Sequence, residues 1–192
     1  MSLEVERRQV VAALRARAHP LRLRMLSLLT GAALSAAELA RELGVSQALA
    51  SYHLRQLSDA GLVELAETRS HRGGRERRYR HRVELGSDVS GSDDEGRALF
   101  VEAVVEELRR RVSQRSPGLR GLAIDAELWV HEEDWEEARQ AIAAAGTVLH
   151  EKACRPHEPG TVHINATVVM FRMLDPDPPD QPDQPGPPGA RF

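Results

Sequence analysis

Gln47, Ser51 and Arg55 recur at every fourth residue, so a helix through them would carry an amide, a hydroxyl and a guanidinium on one face. These groups suit the edges of base pairs. A glutamine amide can bond an adenine edge twice, a hydroxyl donates or accepts at several bases, and arginine suits guanine or a phosphate. Ala48 is small enough for close approach to a thymine methyl, and Tyr52 points outward with it. Ser46 stands where the helix would begin, and its hydroxyl can meet a phosphate oxygen beside the free N–H groups of the first turn. Ala50, Leu54 and Leu57 fall on the opposite face and are the expected core contacts.

A second concentration of chemistry follows. Residues 69–82 hold seven arginines, at 69, 72, 75, 77, 78, 80 and 82, against the single acid Glu76. Such a cluster repels itself unless a polyanion faces it. The net charge of −3 over 192 residues hides this division: residues 1–82 hold 15 Arg and 8 acids, +7, whereas residues 83–192 carry −10. Double-stranded DNA is therefore the expected partner of the first half.

The elements that must position these groups are legible in spacing and breakers. Val10, Val11, Leu14 and Ala18 mark a helix over 4–18, and His19-Pro20 ends it and starts a second helix over 20–30. Leu21, Met25, Leu28 and Leu29 form the apolar stripe of that helix, and Gly31 stops it. Ser35 and Glu38 have capping-box spacing before a short helix over 36–43. Gly44 permits a tight turn, Val45 plugs the space between two helices, and Ser46 caps a helix over 47–60. This is a helix-turn-helix. Gly61 ends it, residues 62–65 begin an extended segment, and a second one at 77–85 follows the turn Arg72-Gly73-Gly74-Arg75, so the two read as a basic hairpin.

The run AHPLRLRMLSLL, then SAAELARELGVSQALASYHLRQLSDAGLVEL, then ETRSHRGGRERRYRHRVEL resembles the winged-helix transcriptional regulators of the ArsR type over residues 10–85. Val45-Ser46-Gln47, Tyr52-His53-Leu54, Leu57 and Ala60-Gly61-Leu62-Val63 carry most of the likeness, as recognition helix and entry to the wing. The resemblance implies a homodimer, usually a repressor, that sets two recognition helices in successive major grooves and the wings near the backbone or minor groove. The expected DNA contacts are Ser46, Gln47, Ala48, Ser51, Tyr52, His53 and Arg55, with Arg72, Arg75, Arg77 and Arg78 from the wing. His53 has two readings: a place near the DNA backbone, by the resemblance, or a partly buried helix residue. Metal-sensing relatives carry a cysteine pair in the helix matching 36–43, or histidines on the dimer helix. Residues 36–43 and 95–112 hold neither.

Beyond a polar linker at 86–94, the helix over 95–112 is apolar on two faces, one for its own domain and one for a copy of itself. Residues 119–130 and 161–173 alternate as strands do, and Trp135, Ala138, Ile142, Ala145 and Leu149 mark a helix over 132–151 between them. If the strands are neighbours in register, Asp125, Glu127 and Trp129 meet His163 and Asn165 as a polar effector pocket for an organic ligand; otherwise these are solvated faces. The Pro-rich tail from 175 has no apolar runs and is expected to be extended or disordered.

The expected fold is α+β, mainly α with a small β component. A winged helix-turn-helix domain spans 1–85, the linker 86–94, a dimerization helix 95–115, a strand-helix-strand dimerization or effector region 119–174, and the tail 175–192. The lone Cys154 allows no internal disulfide, and His150, Cys154, His157 and His163 have no zinc spacing, so neither metal nor cofactor is expected. There is no phosphate loop, nucleophile elbow or metal triad to support an enzyme. With neither a membrane-length apolar run nor a secretory signal, a cytoplasmic regulator of transcription is expected. The alternative is an enzyme or small-molecule binder built on the C-terminal region, with the winged helix as a docking module.

Overall fold

The turns of the chain at His19, at Ser35 and at residues 44–46 are each fixed by a local device. The computed structural model describes residues 3–71, 74–82, 94–118 and 121–174. Helix α1 (Leu3–Arg17) gives way to α2 (Pro20–Gly31) at His19, whose extended backbone and ring Nδ1, accepting from the Leu21 N–H at 3.1 Å, cap the new helix. Proline at the first helical position loses nothing, because that N–H has no partner inside a helix. Strand β1 (Leu34–Ser35) leads straight into α3 (Ala36–Leu43). The capping box forms: the Ser35 N–H donates to Glu38 Oε2 at 2.8 Å, and the Glu38 N–H donates to Ser35 Oγ at 3.3 Å. Gly44 turns the chain at φ +66°, which a side chain would strain, and Ser46 Oγ accepts from the Leu49 N–H at 3.2 Å to start α4 (Gln47–Asp59).

Strands β2 (Val63–His71) and β3 (Gly74–His81) pair antiparallel as the wing, and β1 pairs with the other edge of β3, giving the order β1-β3-β2. A bulge falls between Leu65, opposite Tyr79, and Glu67, opposite Arg78. The extra residue, Ala66, brings the Glu67 carboxylate onto the Arg78 face of the sheet. Met25, Leu29, Leu39 and Leu57 are the largest wholly buried side chains, and one apolar cluster runs from Leu21 to Val63. Helix α5 (Asp94–Ser113) packs on α1 and α2, burying Gly96, Ala103 and Glu107.

The N-terminal half is thus the expected winged helix-turn-helix within an α+β fold. Three expectations change. Strand β3 begins at Gly74, earlier than 77, and α5 takes Asp94 from the linker. Residues 72–73, 83–85, the rest of the linker and the tail from 175 lie outside the described residues. The strand-helix-strand unit has its helix, α6 (Glu132–Glu151), but the described parts of 119–130 and 161–173 enter no ladder. Alternation decides which side of an extended chain is apolar; it does not supply the neighbour that turns that chain into a sheet. Leu122 accordingly stands 88% exposed, and α6 buries no residue.

Candidate nucleic-acid interface

Helix α4 divides cleanly. Ala50, His53, Leu54 and Leu57 are buried against the preceding helices. Gln47, Ala48, Tyr52 and Arg55 are exposed, Ser51 is half-buried between them, and exposed Ser46 begins the row. All six lie where the sequence puts them. Leu49 is also exposed, at 41%, an apolar contact that the spacing argument misses because leucine on a helix reads as core.

His53 does not belong to this surface. It is only 5% exposed, its ring sits 4.6 Å from that of His19, and the Tyr52 ring meets it edge-on at 5.1 Å. Position 53 lies on the buried side because it follows Ala50 by three residues and precedes Leu57 by four. Burial lowers the His53 pKa, and the nearby His19 and Arg22 lower it further. Burial likewise lowers that of His19, aided by Arg22 and opposed by Glu106. Two neutral rings can pack closely where two imidazolium ions could not. The second of the two readings of His53 is the correct one.

The wing arginines also divide by face. Arg75 and Arg77 are exposed, whereas Arg72 lies outside the described residues. Arg78, expected on DNA, points inward and is buried. Its Nη1 lies 2.9 Å from Glu38 Oε1 and its Nε 2.9 Å from Glu67 Oε1, and its Nη2 donates to the Ala33 carbonyl at 2.7 Å. A guanidinium surrounded by two carboxylates and a carbonyl is held by the protein, not offered to a phosphate. Glu38 thereby performs two tasks, capping α3 and fixing the wing. Burial pushes its carboxyl pKa up, but hydrogen bonds from Ser35 and Arg78 together outweigh this and leave it below the usual range. Strand alternation was the available signal, since 75 and 77 share one face and 76 and 78 the other.

The five residues expected to form an effector pocket stay on open surface. No hydrogen bond or ion pair among the described residues joins Asp125, Glu127 or Trp129 to His163 or Asn165. Trp129 instead borders a shallow cavity of about 330 Å³ with Val130, His131 and Asp134. Asn165 Oδ1 accepts from Arg111 Nη1 at 3.0 Å. The pocket required the two strands to be paired in register, and no such pairing occurs among the described residues. Among the described residues, no three His, Cys, Asp or Glu side chains converge as a metal site would need, and no helix is long and apolar enough to cross a membrane.

A family model described as a helix-turn-helix domain matches residues 18–66, from Ala18, just before α2, through the first residues of β2. A comparison with curated proteins finds no match. The matched span contains the whole of α3, the turn at Gly44 and α4, so the geometry and the family model agree on one element. That domain supports DNA binding and regulation of transcription.

Proposed function

We propose that this chain is a sequence-specific regulator of transcription that binds double-stranded DNA as a homodimer, acts as a repressor, and carries out no catalytic step. The observation that carries the reading is the outward row Gln47, Ala48, Ser51, Tyr52 and Arg55 on α4, flanked by exposed Arg75 and Arg77 on the wing. A helix presenting its N-terminal residues in this way fits a major groove, while the wing cations lie where a neighbouring phosphate or minor groove would be. Dimerization is supported by α5. Val101, Val105, Leu108 and Val112 are all exposed and follow one another at spacings of four, three and four, the seam pattern of paired helices. A twofold dimer would present its two α4 helices to half-sites about one helical turn, roughly 34 Å, apart.

The test is binding to a selected operator and to random duplex across a salt series. Gln47→Ala should lose about 1–3 kcal/mol of discrimination. Arg75→Ala should weaken both duplexes alike and reduce the salt slope by about one. Equal loss on both duplexes for Gln47→Ala removes it from base reading, and a wild-type chain without preference for any duplex overturns the reading as a whole. A promoter–reporter assay showing activation in place of silencing would overturn the repressor assignment.

A further inference from the structure

The C-terminal third displays something that one copy of the chain leaves unfinished. Residues 161–173 run extended, outside any helix or ladder among the described residues. Val162, Ile164, Ala166, Val168 and Met170 share one face, and Val162 is 81% exposed. An apolar extended segment with an open backbone edge is a template for another strand. We propose that this segment pairs antiparallel with the same segment of a second copy of the chain, about a twofold axis through Ala166.

Three observations select that partner and register. In a symmetric antiparallel pair the residues facing each other lie equally far from the axis, so Ile164 meets Val168, Asn165 meets Thr167, Val162 meets Met170 and His163 meets Val169. No like charges oppose one another, and Arg172, the one arginine of the segment, is already paired with Glu132. Segment 121–130 fails the same test: folded about Ala126 it would set Asp125 against Glu127 of the other copy. Lastly, Arg111 Nη1 donates to Asn165 Oδ1 at 3.0 Å and to Thr167 Oγ1 at 3.4 Å. This binds the two residues flanking the axis to the end of α5, next to the exposed Leu108 and Val112. One twofold axis can then serve both the helix seam and the strand pair, closing about ten backbone hydrogen bonds that the lone chain leaves open.

The inference rests on the dimeric reading of the chain, and its test separates the two. Single cysteines at 164, 165, 166, 167 and 168, each in a Cys154→Ser background, are oxidised at micromolar concentration after sedimentation has fixed the mass. Only the residue on the axis faces its own copy, at about 4.5–5.5 Å between Cα atoms, within disulfide reach. Ala166→Cys should therefore cross-link at least several-fold faster than its neighbours. A flat profile, a maximum elsewhere, or no cross-link in a chain that sediments as a dimer overturns the strand pair and leaves the dimer standing. A monomeric mass overturns both. Circular dichroism of each variant shows that the fold is intact, and Cys154→Ser alone must give no cross-link.

Discussion

Arg77 and Arg78 are adjacent in sequence and opposite in use. Arg77 stands in solvent on the outer face of β3, whereas Arg78 is locked by Glu38, Glu67 and the Ala33 carbonyl. Removing Arg78 leaves the Glu38 carboxylate without its cation and Glu67 with Arg69 alone, at 2.9 Å, and breaking such a pair costs about 3–5 kcal/mol at fully buried sites. Glu67 is 38% exposed and solvent softens its loss. Arg78→Ala should therefore cost about 2–3 kcal/mol in urea unfolding, with an unchanged salt slope of DNA binding for the folded fraction. Arg77→Ala should do the reverse: stability within about 0.5 kcal/mol of wild type and a slope lower by about one. A lower salt slope for Arg78→Ala would return that side chain to the DNA surface. The outward set on α4 was legible because a 3.6-residue period assigns faces from sequence alone. For Arg78 the sequence offers only its face, by strand alternation; which groups bury it was not legible, because they include Glu38, forty residues away, and Glu67, set by a bulge at Ala66.

Elements defined by local chemistry were the readable ones. The capping box at Ser35 and Glu38, the left-handed Gly44 and the serine cap at 46 each act within four residues, and α3 and α4 begin and end where they dictate. Strand β1 leaves no mark in the spacing because two residues carry no period; it exists only through its pairing with β3. The alternation at 119–130 and 161–173 promises more than it delivers for the same reason, a strand being a relation between two stretches of chain. Helix α5 shows a finer version. Its inward row is Gly96, half-buried Phe100, Ala103 and Glu107, which leaves Leu108 exposed on the outward stripe although its spacing of four from Val104 and eight from Phe100 would set it on their side of the helix. Glu107 is buried inside that row and held by Arg110 at 2.8 Å and Arg111 at 3.4 Å. A charge at Leu108 should thus act as a charge at Val105 does. Val105→Glu and Leu108→Glu are each expected to raise the dimer dissociation constant at least a hundredfold, with helical content preserved. Sedimentation checks this, and a Leu108→Glu chain that stays dimeric but loses thermal stability would place that residue back in the core.

At the scale of the whole molecule, the winged helix and the C-terminal region meet at a few points, and one of them titrates. Gly31, at the end of α2, lies so close to the turn after α6 that a Cβ there would overlap the Cys154 carbonyl. His157 Nε2 sits 3.1 Å from Glu42 Oε2 on α3. Between these elements His81 ends β3, its Nδ1 3.0 Å from Thr30 Oγ1 and its Nε2 buried without a partner among the described residues. Burial lowers the His81 pKa to about 4, with Arg17 of α1 and His150 of α6 adding repulsion. The unfolded chain, with an ordinary imidazole near 6.5, binds this proton more readily than the folded one. Stability from His81 is therefore complete above pH 6.5, falls as the pH drops toward 4, and loses nothing further below that. The whole span is worth about 3 kcal/mol, of which about 2 should be gone by pH 5. His19 and His53, also lowered by burial, act in the same direction. Urea melts at pH 7.5 and 5.0 on wild type and His81→Asn measure it: wild type should lose more stability between the two than the variant, by about 2 kcal/mol. Equal losses would mean that His81 accepts its proton in the folded state without cost, and that the junction of α2, β3 and α6 is open to water.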